Sequence, residues 1–195
     1  RWGFCLSKNQ YDSLKKIIYE VKINATLEPG SLTYADLIIP GKSEKEILFS
    51  TYICHPSLAN NELSGPVVAI FLAKYFLEKR NNYYTYRFVF APETIGTITY
   101  LSIELAHLKK NVIAGYVMTC VGDDGIFSYL QTKKENTLVD RATIHVLENI
   151  EGEYNLYDYL KRGSDERQYC APGIDLPIGS LMRTKYCEYP EYHTS

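Results

Sequence analysis

No Cys-x-x-Cys pair occurs in the 195 residues, which excludes a zinc ribbon and a thioredoxin-type redox motif. A Gly-x-Ser-x-Gly elbow and a Gly-rich phosphate loop are also lacking, which argues against a serine hydrolase and a nucleotide enzyme. There is no recognisable signal peptide and no apolar run long enough to span a bilayer. Charge of either sign is not in excess. The net value of −2 leaves no electrostatic case for nucleic acid or an anionic membrane as partner. Repeats, low-complexity tracts and an obvious linker are missing too.

What is present is ordinary for a soluble globular protein, with 46% hydrophobic and 23% charged residues. The length suits one domain over residues 1–195 with a sizeable core. The chain opens on Arg1-Trp2-Gly3 without a Met and stops at Tyr192-His193-Thr194-Ser195, so it reads as a segment of a longer protein. Its five cysteines are odd in number and widely spaced, as expected of free thiols in a reducing cytoplasm. Eighteen tyrosines point to half-buried strand surfaces and a pocket rim.

Periodicity sets the expected order of elements. Residues 9–18 carry helical spacing, with Tyr11, Leu14, Ile17 and Ile18 on one side. Residues 19–27 alternate, and Pro29-Gly30 turns the chain into residues 31–39, giving a hairpin. Residues 47–53 are apolar on both faces, the mark of a central strand. Residues 66–79 are the clearest helix, with Val67, Ile70, Phe71, Lys74 and Leu77 at helical intervals. A strand over 84–91, a helix over 96–108 and a strand over 111–121 follow. Strand, helix, strand, helix, strand predicts a right-handed parallel α/β core. Beyond it come a strand over 126–132, helices over 138–149 and 152–161, a polar loop over 162–175 and a last strand over 178–183.

That order places three polar loops at the carboxyl ends of successive core strands: residues 55–62, 92–94 and 122–125. In open α/β sheets this edge is where ligands bind. The groups there able to do chemistry are His55, Asn61, Glu62, Glu93, Cys120, Asp123 and Asp124, with Asp165, Glu166 and His193 further on. A hydrolytic zinc site needs a few N, O or S ligands, an open position for water and a carboxylate base. His55 and His193 can supply two nitrogens, Asp123 or Cys120 a third ligand, and Glu93 the base. Cys54 adjoins His55, but alternation along a strand directs neighbouring side chains to opposite faces, so that pair is not expected to meet. His107 and His145 sit in helical patterns without polar company and read as structural.

Three motifs together resemble the clan of zinc aminopeptidases and glutamate carboxypeptidases, which also holds glutaminyl cyclase and the transferrin receptor. Their wording is most similar to a bacterial aminopeptidase-like group of unknown function linked with polysaccharide biosynthesis. The motifs are Cys54-His55-Pro56-Ser57 running on to Asn60-Asn61-Glu62-Leu63-Ser64-Gly65-Pro66, then Pro92-Glu93-Thr94-Ile95-Gly96, and Tyr189-Pro190-Glu191-Tyr192-His193-Thr194-Ser195. The resemblance implies a phosphorylase/hydrolase-like three-layer α/β sandwich, a mixed sheet with a parallel core and helices on both faces. It implies metal ligands at His55 and His193 and a base at Glu93. It matches Gly163-Ser164-Asp165 to a substrate-side loop. At three ligand positions the chain departs from the pattern: Asn61 stands for a bridging Asp, Thr94 for a Glu, and Cys120 for an Asp, with Asp123 three residues on. A neutral Asn cannot offset two cations, so one zinc ion is expected rather than two, with no metal as the other outcome.

The expected function is metal-dependent hydrolysis of an amide or peptide bond in a small substrate, in the manner of a cytoplasmic aminopeptidase. The metal would lie on His55, Asp123 and His193. The rival reading is a non-catalytic binding or scaffold module on the same fold. A weaker third is amide chemistry on a sugar intermediate. The oligomeric state is left open.

Overall fold

The computed structural model describes residues 6–15, 18–150 and 152–194. Two compact units divide the chain, Arg1–Ser31 and Leu32–Ser195. In the first, helix α1 (Lys8–Ser13) opens with a reciprocal capping box between Ser7 and Gln10, which satisfies two backbone donors of the first turn. The helix is shorter than residues 9–18 led us to expect, and Lys16 and Ile17 lie outside the described residues. The strand expected over 19–27 and its hairpin do not form. Residues 20–27 pair with no strand among the described residues, and Ile23, expected to be inward, is 71% exposed. Alternation creates a strand only where a neighbouring strand takes up its backbone groups, and no described strand pairs with residues 20–27.

In the second unit, seven strands form one sheet in the order β1-β3-β2-β4-β7-β5-β6. They are β1 (Ala35–Ile39), β2 (Ser43–Tyr52), β3 (Tyr84–Ala91), β4 (Val112–Met118), β5 (Phe127–Leu130), β6 (Tyr154–Tyr157) and β7 (Ile178–Met182). The core β3-β2-β4-β7 is parallel, and β1 and β5 pair antiparallel to β3 and β7. The expected mixed sheet with a parallel core is therefore present. Helix α2 (Ser64–Lys79) packs over Phe49, Phe88 and Met118, and α3 (Ile95–Asn111) over Leu48, Val89 and Val117 on the opposite face. The alternation along β3 divides Tyr86, Phe88 and Phe90 from Val89 between these two cores, as its sequence predicts. Two further helices, α4 (Leu138–Asn149) and the short α5 (Glu166–Tyr169), complete the layers.

Two expectations fail for tertiary reasons. Residues 152–161 form β6 and a 3₁₀ turn (Tyr159–Lys161), not a helix, because β6 pairs in parallel with β5 and Tyr157 and Tyr159 cover the cluster around Cys120 and Tyr186. On α2 the predicted inner stripe faces outward, with Phe71 68% exposed, and Gly65, Ala69 and Ala73 are the buried residues. Small residues win the inner face because the helix lies close to the sheet. A Cβ at Gly65 would fall on the Met118 carbonyl and the Thr51 hydroxyl.

Away from the carboxyl edge, Arg87 is buried with its Nε donating to Glu46 Oε2 at 2.7 Å and Nη1 to the Tyr100 hydroxyl at 2.8 Å. His107 Nε2 lies 2.7 Å from Glu46 Oε1, so this histidine has the polar company that its helical setting concealed. No helix among the described residues is long and apolar enough to cross a membrane. Gly65→Ala should lower stability by about 1–3 kcal/mol through overpacking against backbone, read as an earlier urea midpoint at unchanged slope.

Candidate active site

Strand β2 ends at Tyr52, and the chain leaves it through Cys54 and His55 into a π-helical turn, Ala59–Leu63, that runs directly into α2. Such turns displace one residue from the helical ladder and recur at functional sites. Here the turn buries Asn61 and Glu62. Asn61 is tied into the sheet edge. Its carbonyl accepts from the Tyr52 hydroxyl at 3.0 Å and the Thr119 hydroxyl at 2.9 Å, and its Nδ2 approaches Cys120 Sγ at 3.6 Å. Two of the three positions that depart from the clan's pattern, Asn61 and Cys120, therefore touch each other.

Glu62 points the other way. Its Oε2 is 3.5 Å from His55 Nδ1, and it is buried without a hydrogen-bond partner. Burial pushes this carboxyl above its ordinary range and Glu93 adds to that, against the pull of His55. On the other side of the imidazole, Glu93 Oε2 stands 3.8 Å from Nε2, while its Oε1 accepts from the Ser164 hydroxyl at 2.6 Å. Cys54 Sγ lies 3.2 Å from His55 Nδ1 and accepts the Glu93 backbone N–H at 3.1 Å. The expectation that Cys54 and His55 cannot meet is thus corrected. The strand has already ended at Tyr52, so alternation no longer governs their directions.

Thr94, the third departure, begins α3 at φ 63°, an uncommon backbone for a β-branched residue. Its N–H donates to Asp165 Oδ1 at 2.8 Å. The polar segment expected over 162–175 so contributes α5 and a buried pair of acids rather than a plain loop. Asp165 Oδ2 has no partner, and burial, with the Glu93 charge adding, pushes this carboxyl up to about 7. Glu166, also buried, is fully occupied: it accepts from the Gly163 and Ser164 N–H groups, the Ser180 hydroxyl and the Tyr186 hydroxyl. It holds the loop that carries Ser164 and Asp165.

The His193 ring lies 5.3 Å from that of His55 and stacks on Tyr192 at 4.1 Å. Asp123 is differently placed. Its oxygens accept from Asn60 Nδ2 at 2.7 Å, the Gly125 N–H at 2.7 Å and the Thr184 hydroxyl at 2.9 Å. Burial alone would raise its carboxyl, but these donors outweigh it and hold the group below the ordinary range. Cys120 is buried against Asn61 and the Tyr189 hydroxyl, and burial pushes its thiol up. Among the expected groups, then, the fold gathers His55, Glu62, Glu93, Asp165 and His193, and engages Asp123 and Cys120 in the chain's own hydrogen bonds.

Carboxylates and histidine on loops at the carboxyl edge of a parallel core, with helices on both faces, are the plan of the aminopeptidase-like α/β proteins. The chain belongs to the family described as a domain of unknown function, DUF4910, which matches residues 12–195. A Clostridium acetobutylicum protein provisionally named for polysaccharide biosynthesis with an aminopeptidase-like domain is 50% identical over 194 residues, covering 100% of this chain and 44% of that protein. The crystal structure of a provisionally named peptidase from that species is 49% identical with a TM-score of 0.87, covering 100% of this chain and 45% of that one. A zinc aminopeptidase of Bacillus subtilis shares the fold at 16% identity and a TM-score of 0.63, over 83% of this chain and 43% of that one. This chain spans less than half the length of these relatives.

The raised Asp165 carboxyl gives a pH signature. A folded-state value of about 7, above the unfolded 3.8, means stability from this group is full below 3.8 and is lost as pH rises through 7. Asp165→Asn should therefore gain stability relative to the metal-free wild type as pH goes from 5 to 8, by on the order of 2–4 kcal/mol. Thermal melts at the two pH values check this.

Proposed function

We propose that this site hydrolyses an amide bond in a small peptide or amide substrate with the help of one divalent metal ion, in the manner of an aminopeptidase. The observation that carries the reading is a pair of buried carboxylate oxygens without partners, Glu62 Oε2 and Asp165 Oδ2, in a cluster whose histidine is His55. Uncompensated buried acids of this kind are what a cation would satisfy. The donor set therefore fits a metal at His55, with Glu62 beside it and His193 in reach. It does not fit the clan's second ion, because a neutral amide stands at Asn61 and is bonded to Cys120. Asp123, both oxygens occupied, is the weakest of the expected ligands.

A bound divalent ion would supply Lewis acidity toward a substrate carbonyl and acidify a water. The chain's own groups do the rest. Ser164 takes one oxygen of Glu93 and fixes the carboxylate, leaving Oε2 free on the His55 side to accept a proton from water. Asp165 holds the Thr94 backbone, and so sets the direction of the Glu93 side chain. Four of the cysteines are free thiols, which agrees with a reducing cytoplasm as the setting, and Cys5 lies outside the described residues.

A second reading, a non-catalytic binding module, draws on the Asn61–Cys120 contact, which stands where the clan's pattern has two carboxylate ligands. The two part on activity. Full-length protein should cleave aminoacyl anilides and lose the activity to a chelator. Glu93→Gln should retain the fold and cost roughly 10²–10⁴-fold in kcat. No cleavage by zinc-loaded wild type would favour the binding module, and full activity in Glu93→Gln would overturn Glu93 as the base.

A further inference from the structure

Three groups, Cys54, His55 and Glu62, meet the demands of a cation site, and the family's ligand pattern accounts for only one of them. Cys54 Sγ, His55 Nδ1 and a Glu62 carboxylate oxygen all lie within 4.8 Å of one another. The separations between neighbours are 3.2 Å from sulfur to Nδ1 and 3.5 Å from Nδ1 to Oε2. Ligands at ordinary Zn–S, Zn–N and Zn–O bond lengths on a tetrahedral ion stand about 3.4–3.6 Å apart. The two separations at Nδ1 are close to those of such a site, and the Cys54–Glu62 separation is under 4.8 Å.

A second observation is independent of the spacing. The Glu62 side chain is 7% exposed, its Oε2 has no hydrogen-bond partner, and it is aimed at the imidazole. Glu93 and Asp165 add negative charge nearby, so the local field favours a cation over any neutral occupant. Solvent reaches the site through Cys54, which is exposed.

We propose that Cys54 Sγ, His55 Nδ1 and Glu62 bind a single borderline-soft divalent ion, Zn²⁺ or Co²⁺, with a fourth position left open. Sulfur, nitrogen and oxygen donors in one tetrahedral set favour such ions over Mg²⁺ or Ca²⁺. On binding, Cys54 releases its proton to solvent, and His55 binds as the neutral tautomer with its proton on Nε2. Nε2 then faces Glu93 Oε2 at 3.8 Å, too far for a hydrogen bond, so Glu93 stays uncommitted. Glu62 takes the place of the carboxylate that the pattern expects one residue earlier, at Asn61.

This assignment rests on the metal reading above but not on hydrolysis. The experiment is Co²⁺ titration of the metal-free full-length protein, followed by absorption. One equivalent should bind with a near-ultraviolet thiolate-to-cobalt charge-transfer band. Cys54→Ser should remove that band and weaken binding about tenfold or more, Glu62→Gln should weaken binding with the band retained, and Cys120→Ser should change neither. Unchanged circular dichroism in each variant excludes misfolding as the cause. Binding without the band, a band that survives Cys54→Ser or disappears in Cys120→Ser, or no binding at all would overturn the assignment. A Cys54-dependent band in a protein that cleaves no amide would leave this site standing and remove the hydrolytic reading alone.

Discussion

Like charges held in a small, poorly hydrated volume constrain everything at the carboxyl edge of this sheet. Glu62, Glu93 and Asp165 share that volume with His55, and two of the three acids are buried with an oxygen unpartnered. Burial raises the cost of ionising both Asp165 and Glu62, and the Glu93 charge adds to it, so both carboxyls are pushed up. Neutral acids or a cation would each relieve the conflict. A cation does so without giving up the acceptor strength that hydrolysis needs.

The fold imposes this crowding through its connections. Parallel strands must return by crossovers, so the loops after β2 and β3 emerge at one edge and bring His55 and Glu93 together from positions far apart in sequence. Glu166 anchors the fourth contributor, the loop with Ser164 and Asp165, through four donors. The strained start of α3 at Thr94 is held by one of the acids of the site, so the geometry of Glu93 and the charge of Asp165 are linked. At the far end of the sheet, by contrast, Arg87 neutralises Glu46 directly, and that buried acid is held below its ordinary range, against the effect of its burial.

Much of this was legible in the residues. β3 matches its alternating pattern from Tyr84 to Ala91, and α4 begins at the Thr137 and Asp140 capping box, because local signals there agree with tertiary packing. Where local and tertiary demands diverged, periodicity misled. On α2 the larger apolar side chains lost the inner face to Gly65, Ala69 and Ala73, and the aromatic residues of 152–161 went to a strand that only β5 could stabilise. Of the site, His55 and Glu93 were readable as strand-end groups, and His193 through the motif at residues 189–195. Cys54 was not, since the end of a strand by one or two residues decides which way its side chain turns. Glu62 was visible as an acid beside a misplaced Asn61, but only coordinates could show which of the two faces the histidine.

The central claim is that the buried acids around His55 exist to hold a cation. An anomalous-difference map from zinc-soaked crystals of the full-length protein tests it most directly. The account predicts one peak at about 2.0–2.3 Å from His55 Nδ1, a Glu62 oxygen and Cys54 Sγ. A map without a peak at His55, or with the ion on Asp123 or Cys120, would contradict it.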